Sequence, residues 1–151
     1  MRIKLSVLVA AVALATWMIA PGTASAHGTH VKAKMSGDQV VGDPGAPNGE
    51  GTAKLHLLRQ KGKVCFTIKY SHIGSRHGLE IGVYRGKRGE NGNQKVTLVE
   101  EEKKDPIEGC VRGIPKKTLK KMTRSPRRFH VNVKTDKYPV DGAIRGQLKA
   151  I

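Results

Sequence analysis

From Val31 onward, apolar and polar positions alternate in short runs separated by Gly, Pro, Asn and Asp, the pattern of half-buried β-strands. Val31, Ala33 and Met35 mark a first strand, and Ala53, Leu55 and Leu57 a second. Val64, Phe66, Ile68 and Tyr70 fall on one face of a third, with Cys65, Thr67 and Lys69 on the other. Val96 and Leu98 mark another. Towards the end Phe129, Val131 and Val133 alternate with His130, Asn132 and Lys134, and Tyr138-Pro139 with Asp141-Gly142 supplies a turn into Ile144-Arg145-Gly146-Gln147-Leu148. The stretch from Asp43 to Gly49 is a loop, because its Pro and Gly residues interrupt pairing and supply turn dihedrals. About seven short strands predict an all-β fold, a Greek-key-like antiparallel β-sandwich.

The alternation breaks in two places. Leu119 and Met122 stand three apart among Lys116, Lys117, Lys120, Lys121 and Arg124, with Pro115 before them and Pro126 after, which predicts a short helix or helical turn over 115–124. At the other end, Arg2 and Lys4 precede an apolar run from Leu5 to Ala20, and Ala24-Ser25-Ala26 offers small residues for cleavage. Residues 1–26 therefore read as a signal peptide cleaved after Ala26. The alternative, a membrane anchor, is disfavoured by the shortness of the run. The expectation is a single secreted or cell-surface domain over 27–151, with no membrane span after cleavage.

Cys65 and Cys110 are the only cysteines, and an even pair in an exported chain points to one disulfide. Two free thiols or a metal pair are the alternatives, weakened by the distance between the cysteines and the absence of a Cys-x-x-Cys pair.

Phe129-His130-Val131-Asn132-Val133-Lys134-Thr135, followed by Pro139 and Gly142-Ala143-Ile144-Arg145-Gly146-Gln147-Leu148, resembles the closing motif of the CHRD (chordin) domain family, bacterial secreted type. The family pattern is Tyr-Val-Asn-Val-His-Thr, a Pro, and Gly-(Glu or Ala)-Ile-Arg-Gly-Gln-Leu. Met35-Ser36-Gly37-Asp38-Gln39-Val40 is similar to its opening Leu-Ser-Gly-x-Glu-Val, so the resemblance covers about 31–148. It implies a β-sandwich and no established catalysis. It also supports the cysteine pairing, since many bacterial members carry a cysteine in an early strand and another in a Gly-Cys-Val step, here Gly109-Cys110-Val111.

The family's other signature, Ala-His-Ile-His-x-Gly, aligns with Ile81-Gly82-Val83-Tyr84-Arg85-Gly86, followed by Gly89 and Asn91-Gly92. Gly82, Tyr84 and Lys134 stand where the family has histidines. Alternating histidines on one strand with a third from another would suit copper or zinc, but glycine offers no ligand atom and a lysine ammonium repels a cation. No cofactor and no metal in the core are expected. Among the remaining histidines, His56 and His130 fall on polar strand faces and are expected to be solvated. His27 and His30 form a different candidate: a mature N-terminal histidine chelates copper through its α-amine and imidazole, and His30 adds a nitrogen.

No catalytic constellation emerges. Ser71-His72 and Ser75-Arg76-His77 lack an orienting third group, Glu100-Glu101-Glu102 before Lys103-Lys104 reads as a solvated hinge, and Gly86-Lys87-Arg88-Gly89 lacks the setting of a phosphate loop. Charge is more informative. The chain holds 28 Lys and Arg against 12 Asp and Glu, a formal +16; removal of Arg2 and Lys4 with the leader leaves +14. Two clusters concentrate it: Arg85, Lys87 and Arg88, and Lys116, Lys117, Lys120, Lys121, Arg124, Arg127 and Arg128. A secreted, non-catalytic module is expected to engage an anionic extracellular polymer or a protein partner through such a face. Nucleic acid is disfavoured, because aromatic residues for base stacking make up only 4% of the chain.

Overall fold

The computed structural model describes residues 28–100 and 105–151. The expected signal peptide, His27 and the charged residues from Glu101 to Lys104 lie outside the described residues.

The strands are β1 (Thr29–Ser36), β2 (Glu50–Leu58), β3 (Lys63–Ser71), β4 (Glu80–Arg85), β5 (Gln94–Val99), β6 (Ile107–Val111), β7 (Phe129–Lys134), β8 (Ile144–Gln147) and β9 (Lys149–Ala150). Among the described residues one α-helix, α1 (Lys116–Arg124), precedes β7. The strand order is β5-β4-β7-β8-β1-β2-β3-β6, with β9 added against β1 and every pairing antiparallel. The fold class is thus the one expected, with nine strands among the described residues where about seven were expected.

β5 and β6 are consecutive in the chain yet stand at opposite ends of this order. A connection of a few residues can join them only if the sheet curls until its ends approach, as β5 and β6 do, and the result is a nearly closed barrel with a sandwich-like core. The apolar positions of the alternating runs all point inward: Val31, Leu55, Ile68, Ile81, Val83, Val131 and Ile144 belong to one contiguous buried cluster. At the turn between β2 and β3 the chain reverses through Gly62 at φ 57°, a left-handed conformation that costs a side-chain-bearing residue more than glycine.

α1 begins at Lys116 with Pro115 as its cap residue, one position later than the spacing suggested, and Pro126 opens a single 3-10 turn after it. Leu119 and Met122 are fully buried against the β2 end of the barrel and the turn that follows it. Two buried apolar side chains contribute roughly 1.5–3 kcal/mol each, which compensates for the marginal stability of so short a helix.

Cys65 and Cys110 face each other directly across the β3–β6 ladder and are joined in a disulfide. Their separation of 45 residues corresponds in the chain-entropy model to about 4 kcal/mol of stabilisation through the unfolded state. Replacing both cysteines with serine should lower the unfolding free energy by up to about 4 kcal/mol, read from the midpoint of a denaturant titration; an unchanged midpoint would contradict the role assigned to the bond.

Candidate functional site

The outer face of β4, β7 and β8 carries polar residues wherever the inner face is apolar, and it is covered. On β7 every residue from Phe129 to Val133 is buried, so this strand has protein on both sides. The cover is the 86–93 loop between β4 and β5, held by side chains from β8, with Asp141 and Gly142 lying over Asn132.

Arg145 makes the central contacts. The residue as a whole is 2% exposed. Nη1 donates to Asn91 Oδ1 at 2.8 Å, and Nη2 donates to the carbonyl oxygens of Lys87 at 3.0 Å and Glu90 at 2.6 Å. Burial holds its pKa below the ordinary arginine value, yet guanidinium remains a cation at neutral pH. Gln147 extends the cover: its Nε2 lies 2.8 Å from the carbonyl oxygens of Gly86, Arg127 and Phe129, tying the loop to the turn after α1. Asn91 uses its own Nδ2 to reach Val41 O at 2.8 Å and Asp141 Oδ1 at 3.3 Å.

Asn132 Nδ2 donates to Asp141 O at 2.9 Å, while its Oδ1 packs against the α-carbon side of Gly142, where a methyl group would collide with it. Gly142 has φ 97°, so both conformation and space require glycine here. Ile144 and Leu148 are fully buried in the core, and a methyl group on Gly146 would meet the Lys34 carbonyl of β1. The closing motif is therefore a structural lock, with Ile144 and Leu148 facing inward and Arg145 and Gln147 fastening the loop outside.

His130 departs from expectation. It is 2% exposed, its ring stacks on Tyr84 at 5.7 Å between centroids, and Nδ1 faces the Gly86 carbonyl at 3.4 Å. Desolvation chiefly, and the charge of Arg145, push its pKa down to about 4, against a smaller opposing effect of the Gly86 contact. The alternation placed it on the polar face correctly; the folded loop turns that face into an interior. His56 is half-buried, and its ring stacks on that of His30, directly opposite on β1, with centroids 4.0 Å apart.

Gly82 and Tyr84 on β4 lie opposite Asn132 and His130 on β7, and Glu80 lies opposite Lys134. Tyr84 donates its hydroxyl to Glu80 Oε1 at 2.9 Å, and Lys134 Nζ stands 5.5 Å from the centre of the Tyr84 ring. Burial, with the Glu80 carboxylate, raises the Tyr84 pKa. A hydrogen-bonded cluster thus occupies the position where the resemblance would place histidines. Among the described residues no group of three or more His, Cys, Asp or Glu is arranged to hold a metal.

Lys116, Lys117, Lys120, Lys121 and Arg124 are all exposed on α1, and Arg127 and Arg128 are exposed in the turn after it. Arg128 also lines an open cleft of about 330 Å³ together with Arg85, Lys87 and Lys95. The two basic clusters, separate in the sequence, therefore meet at Arg128. Arg88 is not part of this cleft; it lines a neighbouring depression with Lys34 and Lys149. Lys95 was not foreseen, being an isolated lysine at the start of β5 that only the β4–β5 hairpin brings to Arg85.

A family model described as CHRD domain matches residues 31–148. No curated protein and no solved structure matches the chain.

Arg145→Met should leave the Glu90 carbonyl and Asn91 Oδ1 without the donor that Arg145 supplies, the Lys87 carbonyl keeping the Glu90 N–H, and cost roughly 2–4 kcal/mol, with faster amide exchange across 86–93 than across β2 and β3. His130 provides a pH test. Its folded pKa lies below the unfolded value, so the unfolded chain binds the proton first and stability falls as pH drops from about 6.5 to about 4. The loss amounts to roughly 3 kcal/mol, and His130→Gln should flatten the dependence over that window; an identical pH profile in the variant would show that other groups carry it.

Proposed function

The chain belongs to the CHRD domain family, an extracellular-type module with no known catalysis, and we propose that this member attaches to an extracellular polyanion through its basic surface. One observation carries the reading: the cations of α1 continue through Arg127 and Arg128 into the cleft edged by Arg85 and Lys87. A polymer needs such a run of cations, because each neutralised anionic group releases counterions and adds to the affinity. Gly86 N–H donates to the Arg128 carbonyl at 2.9 Å, so the two halves of the run are held in fixed relation.

The disulfide is consistent with an extracellular site of action, and export through a cleaved signal over 1–26 is part of the proposal. The copper alternative has less support: His30 stacks its ring on that of His56, no group of three or more His, Cys, Asp or Glu among the described residues is arranged to hold a metal, and His27 lies outside those residues.

Retention on heparin or teichoic-acid resin should fall linearly with salt on a log-log plot. Replacing Lys116, Lys117, Lys120 and Lys121 with glutamine should flatten that slope and weaken retention, with stability altered by less than about 0.5 kcal/mol because these side chains are exposed. Elution of the quadruple variant at the parent's salt concentration would exclude α1 as the attachment surface.

A further inference from the structure

We propose that the cleft between the 86–93 loop and the turn after α1 is a binding site for a phosphate group, the point at which an anionic polymer is gripped and not merely attracted. This rests on the polyanion reading above and gives it a ligand chemistry. The cleft has a volume of about 330 Å³, at the small end of ligand pockets and large enough for a phosphate with part of its neighbouring unit. Four cations from separate segments converge on it: Arg85 from the end of β4, Lys87 from the loop, Lys95 from the start of β5, and Arg128 from the 3-10 turn. Glu90 is the one carboxylate that lines it among the described residues, and its Oε2 accepts the Lys87 N–H at 3.2 Å.

The loop's orientation favours an anion as well. The carbonyls of Gly86, Lys87 and Glu90 all point inward, to Gln147 and Arg145. In a trans peptide the N–H of the next residue points the opposite way, so the N–H groups of Lys87 and Asn91, both on residues that line the cleft, face away from the guanidinium, the Lys87 one towards the Glu90 carboxylate. That leaves the positive ends of two peptide dipoles on the cleft side of the loop, one of them already capped by the Glu90 carboxylate. Behind them stands the Arg145 charge, surrounded by neutral acceptors, which adds positive potential without occupying the cleft. Two arginines supply forked donors suited to oxyanions. Cations arriving from four segments fit a tetrahedral group with several terminal oxygens better than a planar carboxylate with two.

The test is a titration of the purified protein with tripolyphosphate, inorganic phosphate and citrate at constant ionic strength, followed by amide chemical shifts. Both phosphates should shift residues 85–95 and Arg128 ahead of the α1 amides, with inorganic phosphate saturating later. Citrate, a trivalent carboxylate, should bind about tenfold more weakly. Arg85→Gln and Lys95→Gln should each weaken tripolyphosphate about tenfold, the loss expected for one charge-assisted hydrogen bond, at an unchanged melting temperature. The quadruple α1 variant should retain its tripolyphosphate affinity. Shifts spread evenly over the basic surface, equal binding of citrate, or equal weakening by the α1 variant would overturn the cleft proposal while leaving salt-dependent resin retention, and so the attachment reading, standing. Cleft-specific shifts in a protein that neither resin retains would overturn the attachment reading and leave the cleft in place.

Discussion

A guanidinium cannot shed its charge on burial, so enclosing Arg145 commits the chain to surrounding it with acceptors. Those acceptors are Asn91 Oδ1 and the carbonyls of Lys87 and Glu90, residues 54 to 58 positions earlier in the chain. One cation therefore decides how the β4–β5 loop lies across β7 and β8. Asn91, held by Arg145, passes the constraint to Val41 and Asp141, so the loops after β1 and β7 are drawn into the same network. Asp141 in turn accepts the Asp43 N–H at 2.9 Å, and its carbonyl accepts from Asn132. The acceptors around the guanidinium are neutral dipoles that orient towards the charge without cancelling it, and its positive potential persists at the outer surface.

The β4–β5 loop over His130, with Asp141 and Gly142 over Asn132, gives β7 two interiors of different chemistry. Phe129, Val131 and Val133 enter the hydrophobic core, where burial alone is favourable. His130 and Asn132 enter a polar layer, where each group needs a partner. His130 meets that demand by remaining neutral beside Arg145, a state that its depressed pKa describes. Tyr84, Glu80 and Lys134 continue the layer towards the opposite end of β4 through a hydroxyl–carboxylate bond and a cation above the ring. A ring stacked on His130 and a hydroxyl bonded to Glu80 hold Tyr84 in place.

The inner face of this fold was legible because burial against the core imposes a period of two that Val31, Leu55, Phe66 and Val131 display directly. Leu119 and Met122 revealed the buried side of α1 in the same way, and an even pair of cysteines in a chain expected to be exported suggested the disulfide. The covered outer face was not legible. Alternation identifies His130 and Arg145 as facing away from the core, yet whether water or protein lies beyond them depends on where the 86–93 loop settles, and that is a contact between distant parts of the chain. The cleft was half legible for a related reason. Arg85, Lys87 and Arg88 form a cluster by adjacency, but successive residues in a turn point in different directions, so Arg88 faces Lys34 and Lys149 instead. Lys95 and Arg128 joined the cleft through the hairpin and the turn after α1, which no spacing in the sequence expresses.

The electrostatics of α1 bear on function from a different side. Lys116 and Lys117 occupy its first turn, which contains no acidic residue, so the helix dipole is opposed where it would be relieved by a carboxylate. Lys116 with Lys120, Lys117 with Lys121, and Lys120 with Arg124 are like charges four residues apart, each pair unfavourable by roughly 0.2–0.5 kcal/mol. Burial of Leu119 and Met122 outweighs this and keeps the helix folded, but it does not remove the repulsion. An anionic polymer laid along the exposed face would remove it, and it would place negative charge near the helix N-terminus as well. Binding would then relax an internal strain in addition to forming new contacts. A surface arranged only for solubility would gain nothing from placing its charges in these mutually unfavourable positions, and the arrangement is accounted for if the anion is part of the working state.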